Sequence, residues 1–180
     1  MKRVIIIVMA AAVVLLAGNA FAGSNTSQFT VTATVAGQCT VEGADIDFGT
    51  YVIDQSFELT ATGSITVNCA EGVPYAVGLN YGSNSEGGDR SMADQTGNSF
   101  LGYQLYKPTA DTTTCENGSG GVWGDASDAA GTADGSGNTP CTGTGSGQSQ
   151  PYTVDATVPE NQIGLSPGPH SDTVTATIFW

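Results

Sequence analysis

The amino-acid sequence predicts an all-β protein, an antiparallel β-sandwich. Three observations carry this expectation. Apolar and polar residues alternate in short windows along the chain, the period of a half-buried strand. Turn-forming Gly and Pro clusters separate those windows. Beyond residue 22 no window shows a convincing helical period, and short strands spaced by turns are the signature of a sandwich.

Residues 1–22 read as a secretory signal peptide. Lys2 and Arg3 are the basic start, Val4–Ala17 is the apolar run, and Ala20-Phe21-Ala22 is a small-x-small cleavage site before Gly23. The run is short for a membrane span and no stop-transfer pattern follows, so no stable membrane insertion is expected after cleavage. The exported part is expected to comprise an N-terminal extension, 23–36, and one sandwich domain, 37–180.

Ser24–Val35 holds the purest alternation. Phe29, Val31, Ala33 and Val35 share one face, Thr30, Thr32 and Thr34 the other, and the stretch has no charge, Gly or Pro. An exposed strand of that kind recruits other strands. Its terminal position makes its partner the central question of the sequence.

A short strand follows at Gly37–Val41, and then the aromatic-rich Asp47–Tyr51. Leu59–Cys69 alternates, with Ile65, Val67 and Cys69 on one face. After the turn at Glu71–Pro74, Tyr75, Val77, Leu79 and Tyr81 predict the next strand. Arg90–Ala93 and Phe100–Lys107 return to strand pattern, and Pro108 ends the second.

Residues 109–150 read as a Gly/Ser/Asp-rich surface loop inserted in the domain. Between Glu116 and Gly147 lie 10 of the chain's 25 Gly and only two large apolar residues, Val122 and Trp123. Packing alone cannot order such a segment, so a Cys115–Cys141 bridge is expected to clamp its neck, with Trp123 the side chain available to dock back. Tyr152–Val158 and Asp172–Trp180 are the last strands, with Val174, Ala176, Ile178 and Trp180 facing one way.

After signal removal only Arg90 and Lys107 remain against 17 acids, a formal net charge of −15. That excludes nucleic acid and anionic membranes as partners, since both require cationic clusters. Cys39, Cys69, Cys115 and Cys141 all lie in the exported part and predict two disulfides. Three pairings are formally possible. Cys39–Cys69 with Cys115–Cys141 is preferred because each closes one local loop.

Catalysis has little to stand on, and no enzyme activity or cofactor is expected. His170, Ser171 and Asp172 are consecutive and cannot converge as a triad. No metal site is predicted. Asp125, Asp128, Asp134 and Asn138 offer oxygens in the loop, but an EF-hand would need Glu where Gly145 stands.

The order of these elements resembles the spore coat protein U domain family, which includes subunits of archaic, Csu-type chaperone–usher pili. The marks are Cys39 after an alternating strand, Asp47-Phe48-Gly49-x-Tyr51, Gly63-Ser64-Ile65-x-Val67-x-Cys69, Arg90-x-Met92, Tyr103-Gln104-Leu105-Tyr106, Trp123-Gly124, Tyr152-Thr153-Val154, Val158-Pro159 and Ser171-Asp172-Thr173-Val174. The long 109–150 segment with Cys115 and Cys141 departs from the family pattern, as does Trp180, one residue past the usual terminal aromatic.

The resemblance implies an incomplete immunoglobulin-like sandwich lacking its final strand. It also implies a fibre subunit, exported through the periplasm to the cell surface, that takes part in adhesion or biofilm formation. Its partners would be a periplasmic chaperone, an outer-membrane usher and neighbouring copies of itself or related subunits. Phe29, Val31, Ala33 and Val35 would be the donated side chains, and the strand bearing Val174, Ala176, Ile178 and Trp180 the edge that receives a partner. The alternative from the residues alone is a self-complete secreted coat or binding module, whose acidic loop takes a cation or glycan.

Overall fold

The computed structural model describes residues 23–85, 89–109 and 115–180, so the expected signal peptide lies outside the described residues. The chain divides into two units between Val35 and Ala36. In the first unit, Gly23–Val35 belongs to no strand despite its alternation, and Phe29, Val31 and Val35 are 85%, 83% and 93% exposed.

Among the described residues the second unit has nine strands and no helix. In chain order they are β1 (Cys39–Gly43), β2 (Leu59–Cys69), β3 (Pro74–Leu79), β4 (Arg90–Asp94), β5 (Phe100–Tyr106), β6 (Cys141–Thr144), β7 (Ser149–Val158), β8 (His170–Ser171) and β9 (Ala176–Phe179). They form an immunoglobulin-like sandwich of two antiparallel sheets, ordered β1-β2-β7-β5-β4-β8 and β6-β3-β9. The longest ladder joins β2 to β7, from Leu59↔Val158 to Asn68↔Ser149.

The alternation that predicts these strands also builds the core. Ile65 and Val67 of β2 and Tyr152, Val154, Ala156 and Val158 of β7 are buried on the inner face of the large sheet. Tyr75 and Val77 of β3 meet them from the small sheet. The Tyr75 and Tyr152 hydroxyls share a buried hydrogen bond of 2.5 Å, which satisfies both polar tips inside the core. Burial first, and then this bond, pushes the Tyr75 phenol far above its ordinary pKa.

Both local disulfides form. Cys39–Cys69 joins the paired residues where β1 begins and β2 ends. Cys115–Cys141 ties the start of the Gly-rich segment to β6.

The reading of 109–150 as a surface loop needs correction. Cys141–Thr144 is a strand of the small sheet, and Ser149 and Gln150 open β7. Trp123 is fully buried, stands edge-on to Tyr152 at 6.5 Å, and donates its indole N–H to the Val77 carbonyl at 2.9 Å. The Leu79 N–H bonds to the Gly124 carbonyl at 3.0 Å, and a Cβ on Gly78 would strike the backbone of Asp125 and Ala126. The segment therefore lies flat on β3. This is why β3 is buried on both faces from Tyr75 to Leu79, rather than alternating as the sequence suggests.

Arg90 completes this clamp. Its fully buried guanidinium donates to the carbonyls of Asn80 (3.0 Å), Leu79 (2.7 Å) and Trp123 (2.8 Å) and to Gln104 Oε1 (2.7 Å), and it stacks over the Tyr81 ring at 4.9 Å. Burial lowers its pKa, and neighbouring phenols and carboxylates oppose that shift. A buried charge is tolerated only when its donors are met in this way.

Candidate functional site

The feature that the fold leaves open is the free edge of β9 and the apolar groove beside it. Among the described residues, β9 is an outer strand of the small sheet, paired only to β3. The Thr175 carbonyl accepts the Asn80 N–H at 3.1 Å, so the odd-numbered residues of the last strand turn their backbone groups toward β3. The even-numbered residues turn theirs to the open side. Among the described residues, Ala176 and Ile178 of β9 therefore turn their backbone donors and acceptors away from β3, while the side chains of Val174, Ala176 and Ile178 pack against the core.

Across from β9 stands β1, the outer strand of the large sheet. The two approach within 8 Å between Cα atoms, yet no ladder pairs them. Trp180 fastens this end, because its indole N–H donates to the Gly37 carbonyl at 3.1 Å. Toward the other end the layers hold two adjoining cavities of about 280 and 560 Å³, which share Ile46, Phe48, Met92 and His170 in their walls. The floor of the first is core: Ile65, Leu79, Tyr103, Leu105 and Val154. The second runs on under Tyr51, Ile53, Leu101 and Leu165.

Polar residues fix the groove wall where the last part of the chain changes sheets. β8 pairs with β4 in the large sheet, and β9 pairs with β3 in the small one. Asp172 sits at the crossing and accepts from the Tyr103 hydroxyl (2.8 Å) and the N–H groups of Ser83 and Thr173 (2.8 Å each). Burial, and then this carboxylate, raise the Tyr103 pKa well above its ordinary range, so the phenol stays protonated and donating. His170 Nε2 lies 3.0 Å from Ser99 Oγ, and its Nδ1 lies 3.1 Å from the Gly168 carbonyl. Ser99 is buried and its Oγ also accepts the Ser166 N–H at 2.9 Å. The pair closes the 166–170 turn, and His170 also lines both cavities.

The sequence-predicted residues fall in three places. Phe29, Val31, Ala33 and Val35 are exposed on a segment outside any sheet. Val174 and Ala176 line the first cavity, and Val174, Ala176 and Ile178 are all partly buried against the core. Trp180, the fourth residue expected on that edge, is 54% exposed and donates its indole N–H to the Gly37 carbonyl. The strand is also shorter than the alternation from Asp172 suggests, since β9 covers only Ala176–Phe179. The side chains of Asp172 and Asn80 take up the backbone N–H groups of Thr173 and Thr175 instead.

Sequence reasoning missed Ile46, Phe48, Met92 and His170 as shared groove walls. Phe48 and Met92 stood inside quoted motifs, but nothing periodic links four residues drawn from separate parts of the chain. In the acidic loop the carboxylates are spent internally. Asp134 accepts from the Tyr81 hydroxyl and from the N–H groups of Asp125, Ser136 and Asn138, and Asp128 accepts from Thr132.

A family model described as the Spore Coat Protein U domain matches residues 25–177. No curated protein matches. A structure search matches the CsuC–CsuE chaperone–tip adhesion subunit pre-assembly complex from archaic chaperone–usher Csu pili of Acinetobacter baumannii, with 24% identity and a TM-score of 0.49. The match takes in 82% of this chain and 40% of that one, so this chain spans less than half the length of the chain it resembles.

Proposed function

The chain belongs to the spore coat protein U domain family, and from that premise we propose that it is a structural subunit of a surface fibre built by strand exchange between copies. The observation that carries the reading is the open apolar groove bounded by β9, whose even-numbered residues leave their backbone groups unpaired. An extended segment laid along that edge would gain main-chain hydrogen bonds, and its alternate side chains would fill the cavities. Gly23–Val35 suits this role: it is uncharged and exposed, and in an extended strand Phe29, Val31, Ala33 and Val35 would share one apolar face.

The geometry adds a requirement. Neighbouring strands lie about 4.8 Å apart, so a strand between two edges needs about 10 Å. β1 and β9 now stand closer than that. Insertion must part them, starting from the wide end at Ile46 and Phe48 and releasing the Trp180–Gly37 bond last. In this reading a periplasmic chaperone holds the groove apart before an outer-membrane usher delivers the next subunit. The donated strand and the groove are different surfaces, so the contact is head-to-tail and extends into a filament at the cell surface. Adhesion or biofilm formation is the role such a filament would serve.

The test compares the mature chain with and without residues 23–35, each produced with its chaperone and then mixed. The full chain is expected to form sodium-dodecyl-sulfate-resistant polymers. The truncated chain should stay monomeric and cap them. Identical stable monomers from both, with residues 24–35 protease-protected in the full chain, would instead identify a self-complete module.

A further inference from the structure

We propose that the apolar loop pair at the wide end of the groove docks the body of the next copy of this chain, as a second contact beside the exchanged strand. The inference rests on the strand-exchange reading above and adds to it a surface and its occupant.

The surface is built, not incidental. Two loops, Tyr51–Phe57 and Pro159–Leu165, are clasped by the backbone bonds Asp54 N–H to Gln162 O (3.2 Å) and Asn161 N–H to Gln55 O (2.8 Å). Gln55 is buried, accepts from the Val52 N–H at 2.9 Å and donates to the Phe57 carbonyl at 2.8 Å. Gln162 reaches the other way, bonding both the N–H (2.7 Å) and the carbonyl (2.9 Å) of Gly102, and its own N–H meets the Tyr51 hydroxyl at 2.9 Å. Asp54 and Asn161 both hold positive φ, 62° and 58°, to make the turns. On this polar frame Val52, Ile53, Phe57 and Ile163 stand 61%, 44%, 60% and 72% exposed. Large apolar side chains held out by a fixed frame mark an interaction site.

Three observations select a second copy as the occupant. The patch is continuous with the groove, since Tyr51, Ile53 and Leu165 also line the larger cavity. The donor has little slack: Gln38 is held by the Ala70 N–H at 3.0 Å beside the Cys39–Cys69 bridge, and Val35 is three residues away, at most about 11 Å. The donating domain must therefore press against the end of the groove where Val35 emerges. Among the described residues every pairing between the nine strands is antiparallel. A donor antiparallel to β9 would run from the Trp180 end toward His170 and emerge beside this patch. Finally, copies of this chain cannot attract one another through charge. The mature chain has two cationic side chains, Arg90 and Lys107, 0% and 4% exposed, against 17 acids. Apolar burial is the attraction left to it.

The test labels single cysteines with a maleimide in the full mature chain. Phe57→Cys and Ile163→Cys are compared with the off-patch control Ser136→Cys, in fibres and in monomers capped by excess synthetic Gly23–Ala36 peptide. The patch thiols should react roughly tenfold more slowly in the fibre than in the capped monomer, and the control should not change. Equal reactivity in both states, with fibres present, overturns the docking surface and leaves strand exchange standing. Protection in the chaperone-bound monomer but not in the fibre assigns the patch to the chaperone and also overturns the proposal. Failure to form any fibre overturns both readings.

Discussion

Gly23–Val35 and Cys115–Cys141 reverse what their compositions suggest. The first has the alternation of a strand and joins no sheet, with its Phe and Val side chains in solvent. The second is rich in Gly and acids, yet it buries Trp123 completely and lies against β3. Composition measures what a segment could bury; local order depends on whether a partner is within reach. The Gly-rich segment is tethered by a disulfide and by the Arg90 and Trp123 hydrogen bonds. Its glycines serve this close fit, since a Cβ at Gly124 would press on the Asn138 carbonyl.

The strongest way to break this comparison is at Trp123. Trp123→Ala empties the space between β3 and β7 and strips a donor from the Val77 carbonyl. It should cost about 3–5 kcal/mol in urea unfolding of the disulfide-intact chain. A loss below about 1 kcal/mol would mean that the Gly-rich segment is ordered without its anchor.

Replacing Cys115 and Cys141 by Ser together should cost somewhat less, roughly 3 kcal/mol, because a loop of this length regains its freedom in the unfolded chain. Hydrogen exchange should then rise first in residues 115–138.

The smallest effect on stability is expected in the other region. Val31→Asp should change unfolding by no more than about 0.5 kcal/mol, since Val31 is exposed. It should nevertheless abolish fibre growth, because the groove cannot accept an unpaired carboxylate. Normal polymers from this variant would remove Gly23–Val35 as the donor.

These cases show where the sequence was legible. β2 and β5 alternate and are legible nearly residue by residue, and β7 from Tyr152 onward, because a sheet with one buried face writes its period into the chain. β3 was legible as a strand but not as a doubly buried one, since its second cover comes from residues some 45 positions later, and no local pattern records it. β6 was missed because Cys141-Thr-Gly-Thr has too little apolar area to show a period. The candidate edge was half legible: Val174, Ala176 and Ile178 share a face as read. The strand switch at Asp172 and the cap by Trp180 depend on distant side chains, Tyr103 and Gly37 among them.

The Cys39–Cys69 bridge has a mechanical consequence. In a filament pulled end to end, tension would enter each domain through Val35 and reach β1 at its first residue. A strand drawn from its end by force normally peels, breaking its ladder one bond at a time at low load. Here the first rung of the β1–β2 ladder is covalent, because Cys39 and Cys69 are both register partners and bridged. Tension passes straight into β2 and so into its ten-pair ladder with β7, which spreads the load over the centre of the large sheet. Reducing that bridge should therefore lower the force at which β1 leaves the sheet, as read by single-molecule pulling with and without reductant.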